Sequence, residues 1–167
     1  MEILFENRYS QDKQWAKAAY GYLLLCRPAS IFGYVFFGCF LLLGICLSIT
    51  TGVLEWPLLL MPFVWFGLML LLYYRGVNAT LKRAIEVHGK PIDVIITVTE
   101  EEIHYAQSTG SQFRLKYEDI KKVVVKKDYI YLISKAKLLY TFKKDAFTAG
   151  SAEGFLGFLI HKGIKRS

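Results

Sequence analysis

Two long uninterrupted apolar runs dominate the pattern of hydrophobic and polar positions. They cover Ala29–Ile49 and Trp56–Tyr74 and are joined by Thr50-Thr51-Gly52-Val53-Leu54-Glu55. A bilayer core about 30 Å thick needs about 20 apolar residues in a helix, so each run is long enough to span one. Glu55 is the only formal charge between Ala29 and Tyr74, and it lies in the turn. The competing reading is a pair of buried helices in a soluble protein. A cleaved signal peptide fits less well: about 28 residues precede the first run, whose apolar core exceeds the usual 7 to 15, and a second run follows.

Ahead of the runs, Met1–Glu6 reads as a short strand. Trp15, Ala18, Ala19, Tyr22 and Cys26 then recur at spacings of three and four, marking one face of a helix over Gln11–Cys26, with Ser10 or Asp12 as its cap. That helix suits the inner membrane surface or a packing site on the C-terminal domain. Arg27-Pro28 ends it, because the residue before proline is pushed out of the helical region. Within the first run, Ala29-x-x-x-Gly33 and Gly44-x-x-x-Ser48 offer small-residue patches for packing the two runs together. Trp56-Pro57 opens the second run and Pro62 predicts a kink in it.

Asn78–His88 continues as a helical stalk closed by Gly89-Lys90-Pro91. From Ile92 the period becomes two. Strands are expected over Ile92–Thr99, Ile103–Gln107, Gln112–Tyr117, Ile120–Lys126, Tyr129–Ser134 and Leu138–Lys143. Ser151 then caps a final helix, Ala152–Lys162, stopped by Gly163. The predicted fold is an α+β membrane protein: a two-helix transmembrane hairpin, then a small antiparallel β half-barrel capped by a C-terminal helix. The domain boundaries are 1–28 (strand and amphipathic helix), 29–74 (hairpin), 75–91 (stalk) and 92–167 (cytoplasmic β domain).

Charge sharpens this picture. Residues 75–167 hold 17 of the 21 lysines and arginines and 10 of the 14 acids, so they carry the whole net charge of +7. Arg8, Lys13, Lys17 and Arg27 precede the first run, Arg75, Lys82 and Arg83 follow the second, and the turn has no cation, which places both termini in the cytoplasm. Trp15, Tyr34, Trp56, Tyr73, Tyr74 and Arg75 are the candidate anchors at the membrane interface.

Candidate chemistry is sparse. His88, His104 and His161 stand on separate elements, away from the convergent spacing of a metal site. The three cysteines, Cys26, Cys39 and Cys46, make no Cys-x-x-Cys pair, and no phosphate-cradling glycine loop occurs. No catalytic residue, cofactor or metal is assigned, and the chain is expected not to be an enzyme. The remaining constellation is Lys121, Lys122, Lys126, Lys127, Lys143 and Lys144, with Lys135 and Lys137 between. Juxtamembrane cations gain about 1 kcal/mol each near an anionic leaflet. The plainer reading of these lysines is the solvated face and guarded edges of a sheet.

Phe113-Arg114-Leu115-Lys116-Tyr117-Glu118-Asp119-Ile120-Lys121-Lys122-Val123, followed by Lys127-Asp128-Tyr129-Ile130-Tyr131-Leu132, Lys143-Lys144-Asp145-Ala146-Phe147 and a helix with Phe155-Leu156, resembles the YcxB-like family of small bacterial membrane proteins. The resemblance implies a membrane-tethered domain similar to bacterial pleckstrin-homology folds, without established enzymatic activity. Phosphoinositide-binding members of that fold class carry basic residues in the first hairpin loop, read here as the acidic Thr99-Glu100-Glu101-Glu102. The expected function is a membrane-anchored interaction module that binds a protein partner or the anionic inner leaflet, and not nucleic acid. The alternative is an immunity-type protein that neutralises a toxin. The sequence leaves the oligomeric state open.

Overall fold

The computed structural model describes residues 2–25 and 28–166. Met1, Cys26 and Arg27, the last two being the expected end of the first helix, lie outside them, as do the side chains of Leu25, Pro28 and Ala29. The chain divides into two compact units. One comprises Met1–Asp12 with Ala84–Ser167, and the other is Lys13–Arg83.

The helical unit is built on one long helix. Helix α1 spans Lys13–Leu25, α2 Pro28–Thr51 and α3 Trp56–His88. At 33 residues, α3 is about 50 Å long at 1.5 Å per residue. It runs straight through the expected boundary at Tyr74, so span and stalk are one element and Pro62 lies inside it. Its first half takes α2. The nearest atoms of α3 would crowd a Cβ on Gly44 (Leu58 Cβ at 2.9 Å) or on Gly33 (Trp65 at 2.9 Å), and the Trp65 ring stacks on Phe37 with centroids 4.8 Å apart. The small residues therefore pack the two runs together, as their spacing predicts.

The second half of α3 takes α1. The Tyr20 ring occupies the space a side chain at position 76 would fill, and its hydroxyl lies 2.9 Å from that of Thr80. Ala16, Ala19 and Tyr22 are buried and Lys13 and Lys17 exposed, close to the face read from the spacing. Both α2 and α3 are long and apolar enough to cross a membrane, and only 6% of the apolar window of each is buried. A soluble core helix would be mostly covered. The turn Gly52–Glu55 is closed from within: the Glu55 amide donates to Ser48 Oγ at 3.0 Å and the Val53 amide to Thr51 Oγ1 at 3.2 Å.

The sheet unit departs from expectation at its first strand. Strand β1 is Phe5–Ser10, four residues later than Met1–Glu6, and it belongs to the sheet rather than to an N-terminal segment 1–28. It pairs antiparallel with β2, Asp93–Val98, from Phe5↔Val98 to Ser10↔Asp93. The whole helical unit is thus inserted in the β1–β2 connection. The remaining strands are β3 (Glu102–Gln107), β4 (Gln112–Lys116), β5 (Ile120–Val125), β6 (Tyr129–Ser134), β7 (Leu139–Lys143) and β8 (Phe147–Ala149), and helix α4 is Ala152–His161. Two antiparallel sheets result, β4-β3-β2-β1-β8 and β5-β6-β7, and neither closes on itself. The turn at Thr99–Glu101 is therefore the second hairpin of the sheet, not the first, because β1 precedes it.

Period-two alternation puts Val94, Ile96 and Val98 of β2 and Ile103 of β3 into the core, opposite Val123, Ile130, Leu132 and Phe142 of the second sheet. Phe155 of α4 lies 4.6 Å, centroid to centroid, from Phe142 and closes that core. Ser151 caps α4 as expected, accepting from the Gly154 amide at 3.1 Å. The seam between the sheets is bridged by a fully buried side chain. Asn7 Nδ2 donates to the Lys143 carbonyl at 2.7 Å, and Asn7 Oδ1 accepts from the Lys143 amide at 3.3 Å. The carboxamide stands in for one residue of strand pairing where the β1–β8 register shifts.

Asn7→Leu keeps the branched shape, adds bulk and strips both partners from the Lys143 peptide. It is expected to lower stability by about 2–4 kcal/mol, read as the urea midpoint of the sheet unit in the full chain in detergent micelles.

Candidate functional site

The strand register decides where the candidate lysines go, and it divides them. Lys126 and Lys127 form the β5–β6 turn, both exposed; Lys143 ends β7 and Lys144 begins the 3-10 turn Lys144–Ala146. The Lys144 amide donates to the Asp128 carbonyl at 3.0 Å, which sets the two turns side by side. Lys121 and Lys122 stand at the opposite end of β5. The hydrogen bond from the Lys135 amide to the Asp119 carbonyl, 2.8 Å, places them with Lys135 and Lys137 of the β6–β7 turn. The six lysines thus form a quartet at one end of the sheet unit and a pair at the other, not a single face.

The quartet is partly balanced. Lys143 Nζ lies 3.3 Å from Asp145 Oδ2 and is half-buried. Tyr129, buried beside the quartet, has its phenol pushed up to about 12, first by burial and then by the carboxylates of Asp12, Asp128 and Asp145. Asp12 is the last residue of the sheet unit before the chain enters α1. The quartet therefore occupies the end of the domain from which the chain leaves for the helices.

The other end is acidic around the β2–β3 turn. Two open hollows, of about 270 and 420 Å³, flank Glu101; Glu2, Thr99 and Glu100 line the first, and Glu102, Lys116, Tyr117 and Glu118 the second. The Tyr117 hydroxyl donates to the Thr99 carbonyl, and burial raises its pKa. Burial also pushes the phenol of Tyr105 far up and that of Tyr140 upward. These shifts keep the phenols protonated, the opposite of what a phenolate nucleophile needs.

The remaining candidates stay apart. His88 and His161 end their helices, exposed, and His104 Nε2 lies 3.0 Å from Glu102 Oε1. Among the described residues no three His, Cys, Asp or Glu side chains converge as a metal site would need. Cys39 and Cys46 are exposed along α2. Trp56 opens α3, 61% exposed; Tyr73 and Tyr74 pair edge-to-face at 5.3 Å before the exposed Arg75; Tyr34 lies near the start of α2; Trp15 is half-buried on α1. Asn7 was not singled out by sequence reasoning, since its role is defined by Lys143, far away in the chain.

The architecture is that of an α+β protein whose antiparallel sheet domain, closed by a C-terminal helix, carries an inserted pair of long apolar helices. Residues 98–159, from the end of β2 through most of α4, match the family model described as YcxB-like protein, so this segment is a YcxB-like domain. That is the family whose resemblance runs through Phe113–Val123 and onward to Phe155-Leu156. Comparison with curated proteins and with solved structures gave no match.

The Tyr129 phenol carries a pH signature. An unfolded tyrosine ionises near pH 10, so the fold's preference for the protonated phenol costs nothing below that pH. Stability is expected to fall as pH rises from about 10 to about 12. Denaturation midpoints measured across this window should decline less steeply in Tyr129→Phe than in the wild type.

Proposed function

We propose that the chain is a non-enzymatic, membrane-anchored interaction module whose sheet domain docks its lysine-bearing end onto the anionic inner leaflet. In this reading α2 and the first half of α3 span the bacterial inner membrane, with both termini in the cytoplasm. Supporting that orientation, Arg8, Lys13, Lys17 and Arg27 precede α2 in sequence, or its first residue, and Arg75, Lys82 and Arg83 follow the apolar half of α3, whereas Gly52–Glu55 holds no cation.

The observation that carries the proposal is the gathering of Lys126, Lys127 and Lys144 at the end where Asp12 leads the chain toward the helices. Cations act on an anionic surface only within about a Debye length, some 8 Å at physiological salt, so the end nearest the tether is where lysines are useful. Two antiparallel sheets of five and three strands with one C-terminal helix support a pleckstrin-homology-like domain. In such a domain the first hairpin loop is the headgroup site. Here the β1–β2 connection is the helical unit itself, so the anchor takes the place of that loop. The toxin-neutralising alternative draws on the outer turn, and the hydroxyls of Ser48 and Thr51 beside it donate to α2 carbonyls and accept from the turn's amides.

The test is lysine acetylation of the full chain, followed by mass spectrometry, in vesicles rich in anionic lipid and in vesicles of zwitterionic lipid. Lys126, Lys127 and Lys144 should react several-fold more slowly in the anionic vesicles, while Lys121 and Lys135 at the other end react at unchanged rates. Equal rates at the quartet in both vesicles would end the leaflet reading. Protection that appears only with added cytosolic protein would transfer the role to a protein partner.

A further inference from the structure

The end of the sheet unit opposite the quartet carries both signs of charge side by side. The 3-10 turn Tyr117–Asp119 joins the two halves: the Tyr117 hydroxyl holds the β2–β3 turn at Thr99, and the Asp119 carbonyl holds the β6–β7 turn at Lys135. On the acidic half, Glu100 pairs with Lys162, Glu102 with Arg114 and Glu118 with Lys116. Glu101, exposed between the two hollows, has no ion-pair partner among the described residues.

On the basic half, Lys135, Lys137 and Leu138 are exposed at the tip of the β6–β7 hairpin, with Leu138 56% exposed. The tip is a well-bonded turn: the Lys137 amide donates to the Ser134 carbonyl at 2.9 Å, and the Leu138 amide to Ser134 Oγ at 3.0 Å. Such a turn needs one residue in the left-handed region, ordinarily glycine. Lys137 holds that position with φ 65°, the one non-glycine residue with positive φ among those described.

We infer that this end is an interface between two copies of the chain related by a two-fold axis. Leu138 of each copy, flanked by Lys135 and Lys137, enters the acid-lined hollow beside Glu101 of the other. Charge complementarity names the occupant. Basic tip and acidic hollow lie on the same end of one molecule, so a single two-fold operation satisfies both, twice over. The hollow of about 420 Å³ is lined by Glu101, Glu102, Glu118, Tyr117 and Lys116, three acids to one cation, which suits a leucine set between lysines. The pairing uses the end opposite the quartet and does not depend on leaflet docking.

The test is energy transfer between donor- and acceptor-labelled full chains diluted in vesicles. Leu138→Asp should weaken association about tenfold, as loss of a central apolar anchor does. Lys135→Glu and Glu101→Lys should each weaken it about threefold, the scale of an exposed ion pair, and the two together in one chain should restore it. Lys137→Gly separates folding from binding: it should raise the unfolding midpoint, because glycine enters the turn freely, while weakening association. A wild-type chain that stays monomeric, association indifferent to Leu138→Asp, or a double variant whose losses add would each overturn the proposal.

Discussion

The pairing of β1 with β2 is the constraint on which the rest of the molecule depends. It joins Phe5–Ser10 to Asp93–Val98 across the whole helical excursion. The entropic cost of closing a loop grows only with the logarithm of its length, so a six-residue ladder can hold so long an insertion. β1 also takes β8 along its other edge and, through the Asn7 carboxamide, reaches β7 of the second sheet. Removing β1 would strip β2 of a neighbour, free the edge of β8 and open the seam between the sheets. The few residues before the helices are thus an interior strand of a domain whose bulk lies after them.

Much of this was legible from residue pattern. The two apolar runs, the small residues that pack them, the period-two strands from β2 to β7 and the Ser151 cap follow from local rules, because hydrophobic period and capping act over a few residues. The rest depends on partners distant in sequence. Asn7-Arg8-Tyr9-Ser10 lacks the apolar alternation of a strand, since Asn7 is buried for its hydrogen bonds and not for hydrophobicity. β8 has three residues, too few to show a period. The continuity of α3 was hidden by Tyr73-Tyr74-Arg75, read as a membrane boundary; Gly76 is there because the Tyr20 ring of α1 lies where its side chain would be.

The lysines show how register turns composition into geometry. Lys121-Lys122 and Lys126-Lys127 are close neighbours in sequence but lie at opposite ends of β5, while Lys126-Lys127 and Lys143-Lys144, far apart in sequence, meet through one hydrogen bond to Asp128. The sheet domain consequently has two chemically distinct ends. One is basic, surrounds the buried Tyr129 and lies where the chain departs for the helices. The other is dipolar, with an acid-lined hollow beside a lysine-flanked leucine. In the proposed reading one end serves a surface and the other a second copy of the chain, and each role rests on residues the other does not use.

The sheet domain depends on β1 being an integral strand, and amide hydrogen exchange on the full chain in detergent micelles tests this most directly. The amides of Asn7, Arg8 and Tyr9 should exchange as slowly as those of Ile95 and Ile96 in β2 and lose protection in the same denaturant transition. If the β1 amides exchange at the rate of an unstructured tail while β2 and β3 remain protected, the closure of the sheet domain around the inserted helices is wrong.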